Sequence, residues 1–183
     1  MKLFLHVCCG PCTIYPLSVL REKGAQVTGH FFNPNIHPYK EFERRLLTLQ
    51  TYADGVQLPL IVEKDYGLTS FVRKVAFHEA ERCNICYLMR LEKTVALAKE
   101  NGFDAFSTTL LYSKYQRHSQ LILLCEQLAG QYQIDFYYHD FRKGWQTGIE
   151  RSKQLEMYRQ PYCGCIYSEQ ERYDKSLRKK KLP

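Results

Sequence analysis

Seven of the eight cysteines in this 183-residue chain fall into three tight groups. Cys8, Cys9 and Cys12 lie in HVCCGPC, Cys83 and Cys86 in RCNIC, and Cys163 and Cys165 in YCGCIY. Cysteines used for packing have no reason to gather, whereas thiolates that bind metal or exchange electrons must. The grouping implies a metal or redox site assembled from three distant parts of one fold. Where thiols are kept reduced, patterned cysteines bind metal or do catalysis rather than staple the chain.

Each group favours a different chemistry. In a turn or the first turn of a helix, Cys83 and Cys86 share a face, so both sulfurs reach one centre. A lone pair of this spacing suits zinc, an iron–sulfur cluster or a dithiol redox centre. Adjacent side chains on a strand point to opposite faces. Cys8 and Cys9 therefore serve one centre only if the chain turns there, and Gly10-Pro11 supplies a turn. Two plus two gives the four thiolates of a 4Fe–4S cluster or a structural zinc, leaving Cys12 as a spare sulfur nearby. Structural zinc modules usually draw on paired knuckles in small folds. A site with room for substrate favours the cluster, with zinc still open.

Cys163 and Cys165 are too close in sequence for an ordinary staple. Their Cα atoms lie at most about 7 Å apart, and a turn at Gly164 brings them within disulfide range. A ring so small is strained and easily reduced, which suits a catalytic or regulatory bridge. Metal ligation is the alternative. Cys125 aligns with Leu121, Leu124 and Leu128 on one helical face and reads as a core thiol.

The elements that must carry these groups alternate. Residues 2–7 form a short apolar run ending at Cys-Cys-Gly-Pro, the pattern of a buried strand meeting a turn. A helix is predicted from Ile14 to Lys23, closed by Gly24, then a strand from Gln26 to Phe32 and the turn-rich NPNIHP. Helices follow at Tyr39–Tyr52, Leu68–Phe77, Cys86–Glu100, Ser119–Leu128 and Trp145–Tyr158, with strands at Leu58–Val62, Asp104–Thr108 and Ile134–Tyr138. Such alternation predicts an α/β layer fold with a mostly parallel sheet, read here as one domain over residues 1–176. In such sheets ligands bind beyond the carboxyl ends of the strands, which is where Cys8 and Cys9 fall.

Composition bounds the rest. With 45% apolar and 25% charged residues, the chain has the content of an ordinary globular protein. MKLFLHVCCGP is too short an apolar start for a secretory signal, and no run approaches the roughly 20 residues of a membrane span. A cytoplasmic location is expected. Formal net charge is +7, inflated by a basic tail at 177–183 whose four cations leave about +3 when removed. Fourteen tyrosines and ten phenylalanines accompany those cations. A basic, aromatic surface suits an RNA loop with unstacked bases.

Taken in order, LHVCCGPC, FFNPNIHP, ERCNICYLMRLEKTVALAKENGFDAFSTTLL, HDFRKG and YRQPYCGCIYS resemble the QueH family of epoxyqueuosine reductases, the type independent of cobalamin. The resemblance runs nearly end to end. It implies a HUP-like, nucleotide α-hydrolase-like fold and reduction of the epoxide of epoxyqueuosine at the tRNA wobble position, the last step to queuosine. The substrate implied is tRNA with a GUN anticodon, with an outside electron donor. By similarity, Cys8, Cys9, Cys83 and Cys86 would hold a 4Fe–4S cluster, and Cys163 and Cys165 would form a redox-active pair. An additional mononuclear iron is implied too, with Asp140 and Cys12 as candidate ligands.

Other residues are expected to meet the substrate. Arg82, Arg90, Lys114, Arg117 and Lys143 are candidates for phosphate contact. Tyr112, Tyr115 and Trp145 are candidates for stacking on an extruded base, and His118 for proton donation. Where relatives that activate RNA with ATP carry a glycine-rich phosphate loop, this chain has CCGPC, whose turn bears thiols instead. Two rival functions stand beside the reductase: a zinc-stabilised RNA-binding module, and a cluster-dependent tRNA sulfur transferase.

Overall fold

The computed structural model describes residues 1–176, so the basic tail lies outside the described residues. Five strands build the sheet: β1 (Lys2–His6), β2 (Gln26–Phe31), β3 (Leu60–Val62), β4 (Ala105–Thr108) and β5 (Asp135–Phe136). All pairings are parallel, in the order β3-β2-β1-β4-β5. β1 registers with β2 from Lys2–Gln26 to His6–His30, and with β4 from Leu3–Ala105 to His6–Thr108. Strands covered by helices on both faces need apolar residues throughout. Accordingly every residue of β1 except Lys2, and every residue of β4, is buried.

Seven α-helices surround the sheet: α1 (Gly10–Glu22), α2 (Tyr39–Gly55), α3 (Leu68–Val75), α4 (Arg82–Glu100), α5 (His118–Tyr132), α6 (Trp145–Gln154) and α7 (Ile166–Tyr173). α1 packs on α2 and α6, while α4 packs on β1 and β4 with α3 and α5 beside it. The chain steps from β1 outward to β3, then crosses back to β4 and β5. The progression therefore reverses between β1 and β4, and a crevice opens there beyond the strand ends.

The predicted alternation holds, with shifted boundaries. α1 starts at Gly10 rather than Ile14, because a proline is well tolerated in a first helical turn, where its missing N–H is not needed. α1 also contains Pro16. α4 starts at Arg82 and so includes both Cys83 and Cys86. α6 ends at Gln154, short of Tyr158, and α7 was not anticipated.

Three histidines are buried in or beside the sheet. His6 Nδ1 meets Thr108 Oγ1 at 2.9 Å, and His30 Nδ1 meets Thr94 Oγ1 at 2.9 Å. Burial, aided by the charge of Arg90, pulls His6 down to about 3, and burial alone pulls His37 down to about 4. In the unfolded chain these rings protonate near pH 6.5. The folded state therefore loses stability as pH falls from about 6.5 towards 4, by up to about 1.4 kcal/mol per pH unit for each ring kept neutral. The urea midpoint of the metal-free protein should be clearly lower at pH 5 than at pH 7. A midpoint constant across that interval would show that these rings are not held neutral.

Candidate metal and redox site

Cys9 is the N-cap of α1, with extended backbone (φ −173°, ψ 165°), and Gly10 and Pro11 open the helix itself. They do not make the separate turn expected from sequence; the helix start does that work. It places Cys12 in the first helical turn, folded back towards Cys8 and Cys9. The Sγ atoms of Cys8, Cys9 and Cys12 lie within 4.8 Å of one another, all buried. Cys8 Sγ and Cys9 Sγ are 3.8 Å apart.

Neighbouring side chains hold this group. Thr109, just past β4, accepts from the Cys8 N–H at 3.1 Å and donates to Cys8 Sγ at 3.4 Å. Gln160 Nε2 reaches Cys9 Sγ at 2.9 Å and Cys12 Sγ at 3.3 Å. The thiols of Cys12 and Cys9, with Arg90 and Thr109, hold Cys8 well below the ordinary thiol range. Burial pushes Cys9 up, and donation to Cys8 and Cys9 pushes Cys12 up. Of the three thiols, Cys8 is thus the one its surroundings favour as thiolate. A metal would displace the remaining protons.

Cys83 and Cys86 occupy the first turn of α4, where i and i+3 share a face. Burial raises both thiols, Cys86 up to about 12. Cys163 and Cys165 lie within electrostatic reach of this pair. Cys163 is exposed and Cys165 buried, and both are free thiols. Gln116 Nε2 donates to Cys163 Sγ at 3.3 Å, while its Oε1 accepts from Tyr87 at 2.8 Å.

The loop bearing the last two cysteines is tied down by Arg45, which is 1% exposed. Its Nη1 and Nη2 donate to the carbonyls of Cys163 (2.7 Å) and Tyr162 (3.0 Å), and Nε donates to Glu41 at 2.7 Å. Glu41 also accepts from Tyr158 at 2.5 Å. The His37 N–H donates to the Gly164 carbonyl at 2.8 Å, and the Tyr162 hydroxyl donates back to the His37 carbonyl.

Other expected residues are placed less favourably. Asp140 spends its carboxylate on Arg142 at 2.8 and 2.7 Å, which holds it down at about 2. Among the described residues no carboxylate joins the Cys8–Cys9–Cys12 group, Asp140 included. His118 meets Tyr138 at 3.3 Å on the Asp140 side of the molecule. Tyr112 is 3% exposed, its hydroxyl on the Trp145 carbonyl at 3.0 Å. It packs rather than stacks on a base, and a Cβ at Gly148 would fall 2.2 Å from that hydroxyl. Arg90 is buried, against the expectation of a phosphate contact, and Arg82 is paired with Glu171 at 2.5 Å. Lys114, Arg117 and Lys143 are exposed as expected. Tyr115 is 84% exposed, edge-on to half-buried Trp145 at 5.7 Å.

Sequence reasoning missed three residues. Gln160 and the loop contacts of Arg45 lacked any signal, since the partners lie more than 110 positions away; the Glu41–Arg45 spacing of four shows an ion pair and not a clamp. Phe77 is 95% exposed and held at φ +64°, a conformation a bulky side chain rarely adopts. Its N–H is fixed by Glu79 Oε1 at 3.1 Å, a feature invisible to periodicity.

Arg45→Met should lower unfolding free energy by about 3–5 kcal/mol, the cost of leaving a buried partner charge uncompensated. Urea denaturation measures this, and a loss below about 1 kcal/mol, the scale of an exposed ion pair, would show that the clamp does not hold the loop. In the reduced, metal-free protein a bulky alkylating reagent should label Cys163 first and Cys125, with no exposed surface, last. Peptide mass spectrometry reads the order, and early labelling of Cys125 would contradict the packing.

Comparison with known proteins joins this geometry to a family. A family model described as epoxyqueuosine reductase QueH matches residues 3–171. The epoxyqueuosine reductase QueH of Dehalococcoides mccartyi is 38% identical over 174 residues, covering 95% of this chain and 96% of that one. That of Thermotoga maritima is 31% identical over 183 residues, covering 94% and 93%. Among solved structures, the U34-tRNA thiolase NcsA of Methanococcus maripaludis with its [4Fe-4S] cluster superposes with a TM-score of 0.58 at 15% identity, covering 98% of this chain and 67% of that one. A predicted subunit of tRNA methyltransferase from Methanocaldococcus jannaschii gives a TM-score of 0.58 at 13% identity, covering 84% and 76%. At such identities the structures show a shared fold alone. With the family model spanning nearly all of its described residues, the chain belongs to the epoxyqueuosine reductase family QueH.

Proposed function

We propose that this chain reduces the epoxide of epoxyqueuosine at the wobble position of tRNA with a GUN anticodon, using a 4Fe–4S cluster and the Cys163/Cys165 dithiol. The observation that carries the proposal is the buried sulfur group of Cys8, Cys9 and Cys12 at the end of β1, with Arg90 linking that strand end, through Asn33, to Cys86 on α4. The donor set fits such a cofactor: sulfur donors, of which Cys8, Cys9 and Cys86 are buried and Cys83 half-buried, beside a buried guanidinium. Cys8, Cys9, Cys83 and Cys86 would hold the cluster. When bound it supplies electrons singly, and an adjacent mononuclear iron, for which Cys12 is the available sulfur, would supply a Lewis acid.

The residues of the chain account for the overall balance. Removing the epoxide oxygen as water, to leave an alkene, takes two electrons and two protons. Closing a disulfide between Cys163 and Cys165 releases two electrons and two protons. The pair therefore matches one turnover, and an outside donor must reopen the bridge. Cys163 is the exposed partner and can meet that donor, while Arg45 and His37 hold the loop backbone against the crevice.

Exposed Tyr115, with Phe77, offers faces on which anticodon-loop bases can stack, and such stacking is worth about 1–3 kcal/mol per base. Lys114, Arg117 and Lys143 offer charge to phosphates without reading sequence.

Cys163→Ala and Cys165→Ala should keep the iron and sulfide content of the wild type while losing turnover of epoxyqueuosine-containing tRNA, followed by mass spectrometry of the nucleosides. Full turnover by variants with intact clusters would remove the dithiol from the mechanism. Tyr115→Ala should raise KM for tRNA roughly tenfold with kcat little changed, as expected for about 1.4 kcal/mol of uniform binding. An unchanged KM would exclude stacking there. A colourless protein loaded with zinc after anaerobic purification would favour the RNA-binding alternative.

A further inference from the structure

Arg90 lies on α4 one turn beyond Cys86, on the face that carries both Cys83 and Cys86. It is 2% exposed. Nη2 donates to Asn33 Oδ1 at 2.6 Å, and Asn33 in turn donates to the Val7 carbonyl at the end of β1 at 3.1 Å. Nη1 stands 3.7 Å from Cys86 Sγ, and Nε has no hydrogen-bond partner. Among the described residues no carboxylate pairs with it. The contrast is Arg45, equally buried but paired with Glu41 at 2.7 Å.

A buried guanidinium cannot shed its proton. Burying an ion without a counter-charge costs several kcal/mol. An anion must therefore stand beside Arg90 in the working protein. The titratable groups on which its charge bears are His6, which burial keeps neutral, and three cysteines: Cys8, Cys86 and Cys163. Those cysteines come from all three sequence groups. Arg90 thus touches Cys86 directly and, through Asn33 and the Val7 carbonyl, reaches the chain beside Cys8, so it stands between the two halves of the sulfur site.

We propose that Arg90 is the built-in counter-cation of this site, and that it sets the reduction potential of the cofactor by stabilising the more negative, reduced state. Arg90 touches neither substrate nor the reacting atoms; it is a positioning and tuning residue acting through the cysteines. The proposal rests on the 4Fe–4S assignment made above. Its sign is fixed by electrostatics: removing a nearby positive charge makes reduction harder.

The test uses the full chain, purified anaerobically, as wild type, Arg90→Lys and Arg90→Gln. Iron and sulfide per chain are measured first, then the midpoint potential in a redox titration followed by electron paramagnetic resonance. Arg90→Lys should stay near the wild type. Arg90→Gln should lower the reduced-to-oxidised ratio at a fixed poise by tenfold or more, a fall of about 59 mV for one electron. Equal potentials in Arg90→Gln and wild type overturn the proposal, as does an equal shift in both variants, which would assign the effect to guanidinium shape. If Arg90→Gln cannot hold iron and sulfide but Arg90→Lys can, the counter-cation role is supported; loss from both overturns it. A wild-type chain that takes up no iron and sulfide sinks the cluster assignment itself, and Arg90 as its counter-cation with it.

Discussion

A buried sulfur needs a proton, a metal or a cation, and the structure depends on how that requirement is met at the end of β1. Three buried thiols meet there within 4.8 Å of one another, and their surroundings favour Cys8 as the thiolate. The helix start at Cys9 turns the chain sharply enough to bring Cys12 back to its neighbours. Thr109 fixes the group to β4, so the reversal of strand order becomes a chemical junction as well as a topological one. Without the parallel pairing of β1 with β4, neither the crevice nor the contact to Thr109 would exist.

Around that junction the cations are divided by task. Arg45 is neutralised by Glu41 and spends its remaining donors on backbone carbonyls, so it acts as a structural clamp. Arg90 has no such partner and leaves its charge available to sulfur. Two equally buried residues of one type thus do different work, and the presence or absence of a carboxylate separates them.

Much of this was legible from the residues. The alternation of elements gave the parallel sheet, and the run at residues 2–7 placed Cys8 at a strand end because central strands must be apolar throughout. Cys125 lay in the core, as its helical spacing implied. What failed did so for local reasons. Gly10-Pro11, read as a turn, masked the true start of α1, although a first-turn proline is favourable. Arg90 read as a phosphate contact because sequence shows residue type and not burial, yet its spacing of four from Cys86 put it on the cysteine face. Asp140 sat in a loop whose nearest cation, Arg142, took its carboxylate. Gln160 and the backbone contacts of Arg45 act across more than 110 positions, a distance at which periodicity carries no information.

The contact from Gln160 to Cys9 spans 151 positions. As domains are made from the N-terminus, the β1 thiols and the α4 cysteine pair exist long before the segment that covers them. The nascent sheet thus presents an open sulfur site, and only the final stretch, anchored by Arg45, closes over it. Chain order thereby makes the sulfur pocket first and its cover last: the segment carrying Cys163 and Cys165 is the final part of the site to be synthesised.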